Sequence, residues 1–268
     1  MSFKPIGDIR PLIALNLFIM DEESHWNKIA HSYEDEIFDV FKSDKYKKLP
    51  VYFRKYARKN HTAIDLGCGI GKAFPYLSPA FKKVFAVDIS DKCLDIAANK
   101  QYKNIEFQKV DLTDPDLKLP EADFGFCCNV LLLPDLDKNI AMIRNAYKAL
   151  KKNSAAVFVM PSLDSIFLYA WRLIEWNKKE GIEPAEIPDS EFSYFSGSKR
   201  DLFQGLIKID GVTTKHYSHS EIEVIFSEAG FNIEKIDKIE YEWTTEFAEP
   251  PKWLKEPYPW DWLVEVSK

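Results

Sequence analysis

The stretch IDLGCGIGK, residues 64–72, sets three glycines in five positions directly behind a short apolar run. The chain has only ten glycines in 268 residues, so this concentration marks a sharp turn or a place where another group approaches the backbone. The spacing predicts a buried strand over 62–66, then the glycine turn, then a short helix. That order presents backbone N–H groups to a ligand. A dinucleotide fingerprint reads G-x-G-x-x-G, whereas Gly67, Gly69 and Gly71 read G-x-G-x-G and the sixth position is Lys72. Asp65 stands two residues before the first glycine. A carboxylate there would repel a pyrophosphate and suits a ligand carrying an amino group and a sulfonium.

Working outward, the apolar runs and helical periodicities alternate. Strands are predicted over 83–89, 104–112, 122–133 and 154–162, with helices over 90–100 and 135–153 between them. This alternation predicts an α/β fold with a mostly parallel sheet covered by helices on both faces. Upstream, apolar residues from Trp26 to Phe41 recur at helical spacing over 22–41, and a second helix is expected over 51–59. Downstream of Ser162 the alternation stops. Residues 163–217 are aromatic-rich with few strand signals. A helix over 218–230, capped by Ser218 or Ser220, and two strands over 231–243 and 260–268 complete a seven-stranded sheet.

Five segments follow: an N-terminal extension (1–20), a helical lid (21–60), a cofactor-binding core (61–162), a substrate-covering insertion (163–217) and the rest of the core sheet (218–268). The apolar run 10–20 is far too short to span a bilayer and lacks a small-residue cleavage site. Cys68, Cys93, Cys127 and Cys128 form neither a disulfide framework nor metal-ligand spacing. Reduced thiols in a cytoplasmic protein without a metal are the expectation. The formal net charge of −6 argues against nucleic-acid binding over the whole surface. The charge is uneven, however. Residues 42–59 carry eight Lys or Arg against one Asp, and the last fifty residues are acidic. The basic stretch reads as a solvated helix face, with a docking surface for an anionic partner as the alternative.

The second predicted strand ends in Asp88, twenty-one residues after Gly67, where an acidic residue takes hydrogen bonds from ribose hydroxyls. The third ends in Asp111, placed to accept from an adenine amine. With Asp65, three carboxylates fall at the C-terminal ends of three successive strands, which is where open α/β sheets bind ligands. S-adenosylmethionine fits that set.

Residues 62–160 resemble the core of the class I S-adenosylmethionine-dependent methyltransferases, of small-molecule type. The resemblance rests on DLGCGIG, VDIS, VDL and CCNVLLLPDLDKN. It implies a Rossmann-like sheet whose last strand inserts antiparallel. It also implies that Gly67 and Gly69 approach the methionine part of the cofactor, that Asp88 holds the ribose and that Ile89 packs on the adenine. Asp111 and Leu112 would contact the adenine edge, and Asn129 would offer its carbonyl to the amino group. SHWNKIAHSYEDE, residues 24–36, is similar to the N-terminal helix in which a Tyr such as Tyr33 reaches the cofactor carboxylate; plain core packing is the other reading of Tyr33. The Asn/Asp-Pro-Pro-Tyr/Phe motif of base- and amide-methylating relatives is replaced by NVLLLPD.

A general base matters when the acceptor must lose a proton. His216 and His219 are the candidates, against surface or capping roles. Trp171, Tyr194 and Arg200 are candidate substrate contacts, against a role in the insertion's own core. The predicted function is methyl transfer to a small-molecule acceptor, with no membrane partner. RNA or protein methylation and a non-catalytic cofactor-binding scaffold are the alternatives.

Overall fold

The computed structural model describes residues 21–209 and 211–268; the 1–20 extension lies outside the described residues. Helices α1 (Glu22–Ile29), α2 (Tyr33–Glu36), α3 (Val40–Ser43) and α4 (Lys48–Tyr56) precede strand β1 (Arg58–Leu66). Then follow α5 (Phe74–Ala80), β2 (Phe81–Asp88), α6 (Asp91–Ala98), β3 (Ile105–Lys109), β4 (Ala122–Cys128), α7 (Leu136–Lys148) and β5 (Leu150–Pro161). The insertion holds α8 (Leu163–Lys179), α9 (Lys199–Phe203) and the hairpin strands β6 (Leu206–Ile209) and β7 (Val212–Lys215). The chain ends with α10 (His219–Glu228), β8 (Asn232–Glu240) and β9 (Trp260–Ser267).

The seven-stranded sheet has the order β3-β2-β1-β4-β5-β9-β8. Strands β1 to β5 pair in parallel, and β9 lies antiparallel between β5 and β8. The seven-stranded, mostly parallel Rossmann-like sheet expected from sequence is therefore present. Two-residue alternation splits each central strand between two cores. In β5, Ala156, Phe158 and Met160 face the cluster covered by Met142 and Ile143 of α7 and Ile222 and Phe226 of α10. Val157 and Val159 face the cluster covered by Leu49 and Phe53 of α4 and Leu77 of α5. Helix starts follow their caps: the Ser90 hydroxyl accepts from the Cys93 N–H at 3.0 Å, and Ser218 accepts from Glu221 at 3.3 Å. Each cap contributes about 1 kcal/mol.

Three local expectations differ from the structure. The helix predicted over 22–41 is broken into α1, α2 and α3, with a 3-10 turn at Ala30–Ser32 and extended backbone at Ile37 and Asp39. The strand predicted over 104–112 stops at Lys109, which leaves Asp111 beyond it, whereas 122–133 is strand to Cys128 and then runs into a loop from Asn129, whose φ is 52°. The insertion contains a hairpin that its composition did not announce. The returning chain docks beside its point of departure, with the Tyr217 N–H donating to the Pro161 carbonyl at 2.9 Å.

The uneven charge pairs internally. Lys48 in α4 contacts Asp237 at 3.0 Å and Glu240 at 3.2 Å in β8. Lys45 pairs with Glu242, and Lys55 and Tyr56 both donate to Glu265, a buried carboxylate of β9. The basic lid is thus fastened to the acidic C-terminal strands. Among the described residues, no helix is long and apolar enough to cross a membrane.

Candidate active site

A cavity of about 680 Å³ opens above the C-terminal ends of β1, β4 and β5. Its floor is Asp65, Gly67, Cys68 and Asn129. The lid supplies Trp26, Tyr33 and Phe38, and the insertion supplies Tyr194, Thr214 and His216. The C-terminal segment closes it with Tyr241, Glu246, Trp260 and Asp261.

The glycine loop shows why its residues are glycines. Gly67 has a φ of 71°, and an added Cβ would lie 2.3 Å from Cγ2 of Val130. Gly69 has a φ of 50°, and its Cβ would lie 2.7 Å from the Tyr33 hydroxyl. A left-handed backbone under close neighbours admits no side chain. The loop is tied down from below: the Gly67 and Cys68 N–H groups both donate to the Val87 carbonyl, at 2.8 and 2.9 Å.

Asp65 is 2 % exposed, and among the described residues its Oδ2 has no partner. Burial, and then the neighbouring Asp88 charge, push its pKa up to about 8. A buried acceptor without a donor is costly unless a ligand supplies one. An ammonium group bound at this floor would supply it. Asp88 is buried beneath the loop. Its Oδ2 accepts from the Gly69 N–H at 2.8 Å and its Oδ1 from the Ser90 N–H at 2.9 Å. Burial raises its pKa against the opposing pull of these backbone donors. Each carboxylate oxygen keeps a second lone pair for a ligand hydroxyl. The loop, the orphaned Asp65 oxygen and Asp88 at the next strand end therefore fit S-adenosylmethionine.

The remaining sequence candidates divide. Tyr33, Asp65, Gly67, Asn129, Tyr194 and His216 meet around the cavity. Gly69 and Asp88 shape the loop without lining it, and the half-buried Ile89 follows them. Asp111 is exposed and spends its Oδ1 on Thr113, accepting from the N–H at 2.8 Å and the hydroxyl at 2.7 Å. Leu112 is buried in the core cluster beside α7, away from the cavity wall. His219 starts α10 with an exposed side chain 3.7 Å from Glu223, outside the cavity. Trp171 is 56 % exposed and Arg200 is exposed on α9; neither lines the cavity.

His216 is buried, and burial first, offset by the Thr214 carbonyl, holds its pKa down to about 4. It is a neutral imidazole at pH 7, with Nδ1 3.2 Å from the Thr214 oxygen. Sequence reasoning missed Glu246 and Asp261. Asp261 lies in the Pro- and Trp-rich segment 249–262, whose end lines the cavity. The hairpin residues Ile209, Val212 and Thr213 also line the cavity. The Asp-Gly pair between alternating residues in KIDGVTT was their readable signal.

Comparison with known proteins agrees with this geometry. The methyltransferase domain family matches residues 63–153. Phosphoethanolamine N-methyltransferase 1 of Arabidopsis thaliana is 30 % identical over 98 residues, which is 35 % of this chain; the match spans about a fifth (19 %) of that protein. An S-adenosylmethionine-dependent methyltransferase from Anabaena variabilis superposes with a TM-score of 0.60 at 16 % identity, covering 95 % of this chain and 98 % of that one. A DhpI–SAM–HEP complex superposes with a TM-score of 0.59 at 15 % identity, covering 93 % of this chain and 100 % of that one. The match to the methyltransferase domain family thus covers residues 63–153, which hold the glycine loop, Asp65 and Asp88, and the chain shares the fold of solved S-adenosylmethionine-dependent methyltransferases.

Proposed function

We propose that this chain transfers a methyl group from S-adenosylmethionine to a small molecule bound in the cavity. The observation that carries this reading is the continuity of one cavity from the glycine-loop floor to a roof made by lid, hairpin and C-terminal segment. Its size lies within the range of small-molecule sites. In this reading Gly67, Gly69, Asp65 and Asp88 hold the cofactor, which supplies an electrophilic methyl group when bound. Tyr33 and Trp26 close over the loop, with ring centroids 6.3 Å apart. The protein's part is to orient donor and acceptor and to exclude water. Ile89, Asp111 and Leu112 are left to the adenine side, where Asp111 would have to release Thr113 to make a contact. Asn129 has its backbone N–H engaged by the Val159 carbonyl at 3.0 Å, which leaves its own carbonyl as the group for the cofactor amine.

The alternatives have weaker support. Of the eight basic residues of the 42–59 stretch, Lys45, Lys48 and Lys55 are engaged by Glu242, by Asp237 and Glu240, and by Glu265. A pure scaffold would have no use for a second, acceptor-sized half of the cavity. The phosphate of a phosphoethanolamine-like acceptor would need cations. Lys72 is the one Lys or Arg among the described lining residues, and Asp39 holds it at 2.8 Å.

The test is calorimetric titration with S-adenosylmethionine and S-adenosylhomocysteine, beside Asp88→Asn. Micromolar binding to wild type that weakens at least tenfold in the variant is expected. Acceptors are then screened by a 14-dalton mass shift together with release of the demethylated cofactor. A folded protein that binds neither ligand overturns the reading.

A further inference from the structure

The half of the cavity away from the glycine loop carries two carboxylates that the cofactor reading does not use. Asp261 begins β9 beside Pro161, at the end of β5. Its Oδ2 accepts from the Tyr241 hydroxyl at 2.7 Å. Glu246 comes from the segment after β8, and its Oε1 accepts from the Thr245 hydroxyl at 3.2 Å. Both are enclosed by protein yet keep accessible surface, because that surface faces the cavity. Burial raises the pKa of each, Asp261 to about 7, and the charge of Glu246 adds to the rise at Asp261. Among the described lining residues no Lys or Arg answers them, since Lys72 belongs to Asp39.

One further observation points to a ligand. The Asn129 side chain hydrogen-bonds Asp261 on the same wall, and among the described residues its buried Oδ1 has no donor. A cavity with acceptors in excess and no free cation is built for a donor-rich, positively charged guest. Its aromatic walls, Phe38, Tyr194 and Trp260, suit an apolar body and an ammonium head.

We infer that the acceptor is a small amine whose ammonium group is held by Glu246 and Asp261, with Asn129 as a further hydrogen-bond acceptor. The inference rests on the methyl-transfer reading for the word acceptor, but the amine subsite stands on its own residues. Tyr241 is a positioning residue, fixing Asp261 through its hydroxyl.

The experiment uses the full chain, with and without saturating S-adenosylhomocysteine. Calorimetry and thermal shift compare a panel of amines (ethanolamine, 2-phenylethylamine, cadaverine) with 2-phenylethanol and phenylacetate. At least one amine is expected to bind, with 2-phenylethanol at least tenfold weaker than 2-phenylethylamine and phenylacetate weaker still. Glu246→Gln and Asp261→Asn are each expected to weaken the amine at least tenfold and to leave S-adenosylhomocysteine affinity within threefold. Equal binding of amine and alcohol, preference for phenylacetate, or no binding by any amine overturns the inference. So does an unchanged amine affinity in both variants. Loss of S-adenosylhomocysteine binding in Asp261→Asn would assign that carboxylate to the cofactor and also overturn it. Failure of wild type to bind S-adenosylhomocysteine refutes the cofactor reading instead, while the amine–alcohol contrast still decides the subsite.

Discussion

Asp65 gives the most quantitative prediction. It sits in the middle of the sheet, between Ala86 of β2 and Phe126 of β4, with a pKa of about 8 against an ordinary value of 3.8. An acid whose folded pKa is raised binds its proton in the native state and loses it in the unfolded chain. Stability is therefore full below about pH 4, falls as pH rises toward 8, and levels off above that. Between pH 5 and 7 the difference is close to one proton, or about 1.4 kcal/mol per pH unit. Urea unfolding at pH 5, 6 and 7 checks this against Asp65→Asn, a neutral side chain of the same size. The slope of stability against pH should be more negative in wild type by about 1.4 kcal/mol per unit, which is about 2.7 kcal/mol over the range. Other titrating groups, Asp88 and His216 among them, act in both proteins and cancel to first order in the comparison. A bound ammonium group would draw Asp65 into its charged form. S-adenosylhomocysteine binding at pH 7 should then release about one proton, seen as a buffer-dependent heat, and the variant should release none. Parallel pH slopes in the two proteins would refute the buried, protonated Asp65.

Three other outcomes are expected. Gly67→Ala combines a left-handed backbone, at about 1–2 kcal/mol, with a Cβ 2.3 Å from Val130, so it should lower the melting temperature and weaken S-adenosylhomocysteine binding. Adding Val130→Ala should recover part of the stability, and no recovery would exclude Val130 as the obstruction. Lys48→Ala should cost about 1 kcal/mol in urea unfolding, because it releases Asp237 and Glu240 together, and should leave RNA retention in a filter assay unchanged. His216 works in the opposite sense to Asp65: its folded pKa is depressed to about 4, so its contribution is present above pH 6.5 and lost as pH falls toward 4. His216→Gln should flatten that acid-side loss, measured by melting temperature between pH 4 and 7.

Much of this fold was legible in the sequence because a parallel sheet writes itself twice, in apolar runs and in the helices that must cover them. The glycine loop was legible for the same kind of reason: three left-handed positions leave almost no choice of residue. The lid was less so. Trp26, Ile29 and Tyr33 do recur at helical spacing, but the chain must bend at Ala30–Ser32 and again after Glu36 to bring Tyr33 over Gly69. Periodicity has no signal for a bend that only tertiary contact requires. Among the carboxylates, position along a strand identified Asp65 and Asp88, yet β3 ends at Lys109, the partner of Asp88, and Asp111 two residues beyond folds onto Thr113. A strand end fixes where a backbone stops, not where its side chain is spent.

Glu246 and Asp261 were illegible for a different reason. Each lies among Pro, Trp and other acidic residues that look solvated, and only assembly buries them. Asp261 reaches the cavity because β9 inserts between β5 and β8, which places its first residues against Pro161. Glu246 reaches it because Trp243 and Phe247, on either side, pack with Tyr169 and Trp176 of α8 and anchor the segment. The same packing that pins the C-terminal segment to the insertion therefore aims its carboxylate inward. The lysines of the lid meet the outward-facing acids, Asp237, Glu240 and Glu242, and leave Glu246 and Asp261 without a cation of their own. The acidic tail thus divides into a half that fastens the lid and a half, Glu246 and Asp261, that faces the cavity beneath it.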